Sequence, residues 1–339
     1  VRPSRLAIES IHVVEPPVTV PSAALEDALA PTLARLKLPP RPVSLLTGIE
    51  ARRAWPPGTR LADAGADAVR GALARAGVSP ARVGLLLSTS VSREGLEPSL
   101  ASTIHGRVGL PDACQAWDLG NACLGFLNGM EVAGHLLGSR AVDVAVVVAA
   151  EDAGPVVART LARLSQPDTT AADVWANFAT LTLGSMAVAT VLVRPEDSRT
   201  THRVHGSVSL ADTAHNHLCR GDHDGMVTDS TALLKAGVAL ARRTWSRAAE
   251  TLPDWSPSTL DAYVCHQVGR AHLASLADAL GIPLDRCVPT YPTYGNVGPA
   301  AVPFTLARAA DLGAVRPGHH VALMGIGSGL NVCMMGVTW

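Results

Sequence analysis

Lysine is nearly missing: Lys37 and Lys235 are the only two among the 28 basic residues of this 339-residue chain, and the rest are arginines. Beside so much Ala, Gly and Pro, that skew marks a GC-rich coding sequence more than a function. An excess of either sign is missing too, with 28 basic against 29 acidic residues, so there is no electrostatic footprint for nucleic acid or an anionic membrane. The chain is 17% charged and 47% hydrophobic, which excludes disorder. Six cysteines, at 114, 123, 219, 265, 287 and 333, are too few for a disulfide scaffold and contain no CxxC pair. A reduced, cytoplasmic protein is the natural reading. The longest apolar run, 141–150, is interrupted by Asp143 and is about half of the ~20 residues that span a bilayer. Val1–Pro16 carries Arg2, Arg5, Glu9 and Glu15 and has no signal-peptide core. Aromatics make up only 4%, so any ligand channel must be lined by aliphatic side chains, as an ordinary core would be.

What is present is an alternation of short β-rich apolar runs and amphipathic helical stretches, the pattern of an α/β protein. Residues 83–90, 141–150, 187–193, 261–265 and 320–324 read as buried strands. Helical periodicity runs through 61–76, 123–137, 230–249, 270–280 and 299–312, with loops at 195–201 and 253–259. A weak internal repeat accompanies this alternation. Cys114 is followed nine residues later by Cys123 at a loop-to-helix junction, and Cys287 nine residues later by Asn296 in a Gly-rich turn before a helix. Two similar α/β halves would place Cys123 and Asn296 at equivalent points.

Four segments could carry chemistry. In Asp118-Leu-Gly-Asn-Ala-Cys123-Leu-Gly a Gly/Asn loop gives way to a helix with a cysteine in its first turn. The helix dipole and unpaired N–H groups there favour a thiolate; a merely buried cysteine fits as well. His266 follows a short apolar strand, at the end where open α/β sheets place functional groups, although a core histidine reads alike. Asn296, in Tyr294-Gly-Asn-Val-Gly298, has the left-handed backbone preference of a turn residue. The loop Met324-Gly-Ile-Gly-Ser328-Gly-Leu-Asn331 lacks a Walker lysine and alone is weak evidence for phosphate binding.

Taken together, the order Cys…His-Gln…Gly-Asn-x-Gly…Gly-Ser-Gly-Leu-Asn resembles the thiolase superfamily, and within it the ketoacyl synthase III branch. Gly48-Ile-Glu-Ala-Arg52-Arg53 is similar to that branch's segment at the acyl-donor entrance. Further stretches resemble the acyl-CoA condensing enzymes of long-chain olefin and β-lactone biosynthesis. They include Ala51-Arg-Arg-Ala-Trp55, Thr89-Ser-Val-Ser-Arg93, Leu96-Glu-Pro-Ser99, Asn121-Ala-Cys-Leu124, Leu218-Cys-Arg-Gly221 and Met226-Val-Thr-Asp229. The likeness extends from about residue 5 to Trp339.

The resemblance implies a five-layered αβαβα fold of two duplicated halves, 1–194 and 195–339, and a homodimer or a heterodimer with a related chain. Downstream β-lactone pathway enzymes would be further partners. Cys123 would carry the first acyl group as a thioester, its oxyanion held by the N–H groups of Cys123 and Ser328. His266 and Asn296 would hydrogen-bond the thioester carbonyl of the second acyl-CoA and stabilise its enolate. Glu97 separates two chemistries: a decarboxylative synthase using malonyl-ACP needs no base at the α-carbon, whereas joining two ordinary acyl-CoAs does. In the olefin branch a Glu at this position reaches the neighbouring subunit's pocket. Alternatively the chain is one subunit of a heterodimer and contributes mainly Glu97 to its partner. Arg52, Arg53 and Trp55 are candidate contacts for CoA, unless the arginine pair is structural. Acyl-CoA is then substrate, and neither a metal nor a redox cofactor is expected. Asp212, His215, His217, Cys219, Asp222, His223 and Asp224 have metal-ligand residue types, but the resemblance reads that stretch as a polar loop near the substrate channels. The other five cysteines are expected in the core.

Overall fold

A computed structural model describes residues 6–339. Nine strands form one sheet: β1 (Leu6–Val14), β2 (Leu85–Ser88), β3 (Gln115–Asp118), β4 (Val144–Glu151), β5 (Met186–Val193), β6 (Arg203–Ala211), β7 (Ala262–Cys265), β8 (His320–Gly327) and β9 (Asn331–Thr338). Their order is β7-β8-β9-β6-β1-β5-β4-β2-β3. Outward from the centre, β1, β5, β4 and β2 mirror β6, β9, β8 and β7, and the directions repeat as well. In each half the last two of these are parallel, and the connections nearer the centre are antiparallel. β3 pairs parallel with β2, and in the other half Cys287 makes a single parallel bridge to Tyr263 of β7 at the matching place. The central pair β1–β6 joins the halves. The expected change-over at 194/195 falls in the connection from β5 to β6, on a short 3-10 turn, Pro195–Asp197.

Six of the seven helices of nine or more residues among the described residues complete the layers: α1 (Leu61–Ala76), α2 (Leu100–Val108), α3 (Gly125–Gly138), α4 (Ser230–Thr251), α5 (Arg270–Leu280) and α6 (Ala301–Asp311); the seventh, Gly154–Leu164, follows β4. α1 and α2 cover the outer face of the first half, α4 and α5 that of the second, and α3 and α6 lie between the two, which makes five layers. Strands enclosed on both faces must be apolar throughout. All eight residues of β4 are buried, with Ala145, Val147 and Ala149 turned to the central helices and Val144, Val146 and Val148 to α1 and α2. Each such Val or Leu contributes roughly 1.5–3 kcal/mol on burial. Cys123 precedes α3 and Asn296 precedes α6, so they hold the same place in the repeated order. α1 and α5 each stop at a glycine in left-handed conformation, Gly77 and Gly281. Among the described residues no helix is long and apolar enough to cross a membrane.

Some elements differ from expectation. β8 runs on through Gly327, so the glycines after Met324 are strand, and only 328–330 form the turn of a β8–β9 hairpin. Cys123 stands ahead of α3 rather than in its first turn. β3 and β6 include polar residues and lack the apolar run that marks β4, while β9 is buried from Val332 to Val337 with its run broken by Gly336.

Candidate active site

Cys123 sits on a sharp elbow. Leu124 N–H bonds back to the Asn121 carbonyl at 3.0 Å, Gly125 N–H to that of Ala122 at 3.2 Å, and Ala122 is left-handed with φ 46°. A non-glycine residue in that region is uncommon and costs conformational energy. The elbow presents the half-buried thiol at the start of α3. The helix end does not make it a thiolate. Burial first, then the Glu151 carboxylate and Cys219, push the Cys123 thiol up to about 12, and hydrogen bonding by its own N–H lowers it only in part. At neutral pH Cys123 is therefore a thiol.

The Gly-rich strand end packs directly on this elbow. A Cβ added to Gly327 would lie 2.7 Å from the Asn121 carbonyl oxygen and 3.1 Å from Leu124 Cβ, so the two backbones meet only because residue 327 has no side chain. Asn331 Nδ2 donates to Asn121 Oδ1 at 3.1 Å and Asn121 Nδ2 to Asn128 Oδ1 at 2.7 Å, tying hairpin, elbow and α3 together. Ser328, half-buried, begins the hairpin turn. His266 follows β7, with its N–H on the Met324 carbonyl at 2.7 Å. The neighbouring strand position is Gly325, whose own missing Cβ faces Leu124. Burial, and secondarily His272, hold the His266 imidazole down to about 3; it is neutral. Its Nδ1 finds no partner among the described residues, nor does that of His272, which is held down to about 4 by burial. Both imidazoles line an apolar cavity with Val238, Leu276, Met324 and Ile326.

Asn296 is buried. Its N–H donates to the Thr182 carbonyl and its carbonyl accepts from Gly184 N–H, at 2.8 and 2.9 Å, while Oδ1 accepts from Gly298 N–H at 3.0 Å. Among the described residues its side-chain NH2 has no hydrogen-bond partner. The elbow, the Gly-rich hairpin and His266 are thus brought together, and Asn296 connects to them through Gly298, which lies against Glu151. Glu97 is not among them. It is exposed on the loop between β2 and α2, beside Leu96, which is 81% exposed.

The arginine pair divides. Arg52 is buried and bonds the Leu181 carbonyl and Ser22 Oγ; burial holds it down to about 10. It braces a loop and is withdrawn as a CoA contact. Arg53 is half-exposed, donates to Thr19 Oγ1 at 2.8 Å and lies over the Tyr294 ring. Trp55 donates to the Glu151 carbonyl at 2.9 Å. Cys219, expected in the core, is half-exposed in a small hairpin and accepts from Thr228 Oγ1 at 3.4 Å. Around it the Asp/His stretch is not gathered: among the described residues no three His, Cys, Asp or Glu could hold a metal ion. Glu151 reads in the sequence as a structural or interfacial carboxylate at a strand end, and the structure gives it a larger part. Buried at the end of β4, it accepts from Val91 N–H, Ser92 N–H and Ser92 Oγ at 2.8, 3.1 and 2.7 Å, yet burial still pushes it up to about 7. Its signal was a carboxylate closing an otherwise apolar strand.

Mirrored α/β halves around two central helices, with a cysteine elbow under a Gly-rich hairpin, define a thiolase-fold acyltransferase. A family model described as 3-oxoacyl-[acyl-carrier-protein (ACP)] synthase III C terminal matches residues 252–339. The acyl-CoA:acyl-CoA alkyltransferase of Xanthomonas campestris is 39% identical over 98% of this chain and 98% of its own. That of Shewanella oneidensis is 35% identical over 99% of both. A solved cysteine-to-serine variant of Xanthomonas campestris OleA, with bound lauric acid and lauroyl-CoA, superposes with TM-score 0.96 at 38% identity and 99% coverage of both chains. The chain belongs to the OleA family of the thiolase superfamily.

Proposed function

We propose that this protein joins two fatty acyl-CoAs by a Claisen condensation without decarboxylation. Cys123 Sγ attacks the first thioester, CoA leaves with the thiol proton, and the acyl group stays on Cys123. Removal of an α-proton from the second acyl-CoA gives an enolate. Its carbon attacks the acyl-Cys123 carbonyl and expels Cys123, which is reprotonated. The 2-alkyl-3-ketoacyl thioester is then hydrolysed to the β-keto acid, the precursor that olefin or β-lactone biosynthesis requires. The N–H groups of Cys123 and Ser328 hold the first oxyanion, and His266 Nε2–H with the Asn296 amide holds the enolate oxygen.

One observation carries the reading: His266 is buried and neutral, held down to about 3. Such an imidazole donates a hydrogen bond to an enolate well and takes an α-proton poorly. We assign the base to Glu97, whose outward loop supplies it to the partner subunit's site. We take that partner to be a second copy of this chain, a related chain being the other possibility, and 1–194 and 195–339 to be duplicated halves. Arg53 and Trp55 at the acyl entrance are the CoA contacts. The reaction needs no metal or redox cofactor, and a reducing cytoplasm suits a free-thiol nucleophile. Purified protein given myristoyl-CoA alone should release CoA and form the 2-alkyl-3-keto product. Dependence on malonyl-ACP would make it a decarboxylative synthase, and inactivity restored by a related chain would make it one subunit of a heterodimer.

A further inference from the structure

The loop that carries Glu97 emerges from β2, which lies between β4 on one side and β3 on the other. Each flanking strand ends in a carboxylate, Glu151 on β4 and Asp118 on β3, and each carboxylate grips one end of the loop. Glu151 takes Val91 N–H, Ser92 N–H and Ser92 Oγ, and Ser92 Oγ in turn accepts from Asp152 N–H at 2.7 Å. Asp118 takes Leu100 N–H at 3.1 Å and Ala101 N–H at 2.8 Å, where α2 begins, and pairs with Arg93 at 3.3 Å. Glu94 adds a tether by accepting from Leu61 N–H at the start of α1. Gly95, Leu96, Glu97 and Pro98 remain as an exposed tip.

We propose that Glu151 and Asp118 are positioning residues for Glu97: together they hold the foot of its loop so that the carboxylate projects out of this chain into the partner subunit's acyl site. A carboxylate suits the task because its two oxygens accept several donors at once, including consecutive N–H groups that no strand pairs. The inference rests on Glu97 acting as the base for a partner. Glu151 also touches Gly298 and raises Cys123, so an effect on its own chain's site is the rival explanation.

Mixed dimers separate the two. A chain carrying Cys123→Ala has no nucleophile and contributes only its Glu97; paired through a second tag with a chain keeping Cys123, it leaves a single working site. Glu151→Gln or Asp118→Asn placed on the Cys123→Ala chain should lower condensation about 10–100-fold, the usual result of a misplaced group, while acylation of Cys123 proceeds. Asp118→Asn on the chain that keeps Cys123 should leave condensation within about twofold, since that chain's own loop serves the dead site. Loss in both arrangements of Asp118→Asn, or only in the second, makes it structural or local and overturns the inference, as does full condensation with either substitution on the Cys123→Ala chain. Glu97→Ala on the Cys123→Ala chain is the separate control: if it leaves condensation intact, the assignment of the base fails.

Discussion

At the scale of single residues, burial sets the protonation of the site. Cys123 is kept a thiol, and His266 and His272 are kept neutral at about 3 and about 4, against 6.5 for an ordinary histidine. Unfolded, both imidazoles bind protons below about pH 6.5. Their contribution to stability is therefore complete above that pH and is lost progressively as the pH falls toward 4 and 3. Glu151, pushed up to about 7 from 4.5, acts oppositely: its contribution is complete below 4.5 and is lost as pH rises through 7. Two imidazoles outweigh one carboxyl, so the melting temperature should fall between pH 7 and pH 5, and His272→Asn should remove that fall. A melting temperature that instead rises over this range would mean that the imidazoles are charged in the folded protein. The arginine pair gives a second prediction. Arg52→Ala strands buried carbonyls, each costing about 1–3 kcal/mol, and should lower the melting temperature with little change in KM. Arg53→Ala should raise KM for acyl-CoA at unchanged stability. Reversed effects would return Arg52 to the CoA site.

Among the elements, the β8–β9 hairpin and the Cys123 elbow depend on contact between their backbones. Gly327→Ala forces its methyl against Asn121 and Leu124, an overpacking that should cost about 1–3 kcal/mol and lower condensation at least about tenfold by displacing Ser328. Gly106 in α2 has open space where a Cβ would go, and Gly106→Ala should raise stability by about 0.5–1 kcal/mol; denaturant melts check both. Legibility in the sequence follows the same physics. α1 and α5 were readable to the residue because periodic apolar faces end at glycines, and the existence of β4, though not its ends, because both its faces are buried. The motif order identified Cys123, His266 and Asn296 as candidates. What could not be read was anything decided by contact across the sheet: the elbow backbone at Ala122, the retreat of Arg52 inside, and the grip of Glu151 on a loop sixty residues away. A carboxylate at a strand end looks alike in sequence whether solvent or a loop receives it.

For the molecule as a whole, the mirrored sheet ends on one side at β3, an edge strand bearing the 42% exposed Trp117. Val91 and Leu96 are also exposed on the neighbouring loop. An edge of unpaired N–H and C=O groups flanked by apolar side chains favours pairing with another chain. On the proposed dimer, Trp117→Asp should shift the protein toward monomer in sedimentation and remove condensation with it; an active monomer would mean that the site is complete within one chain.

The most direct test is the intact mass of the Glu97→Ala protein after incubation with myristoyl-CoA, read beside wild type and Cys123→Ala. The account predicts a myristoyl adduct on Glu97→Ala with no condensation product, turnover to product by wild type, and no adduct on Cys123→Ala. Normal condensation by Glu97→Ala, or an adduct that survives loss of Cys123, would contradict it.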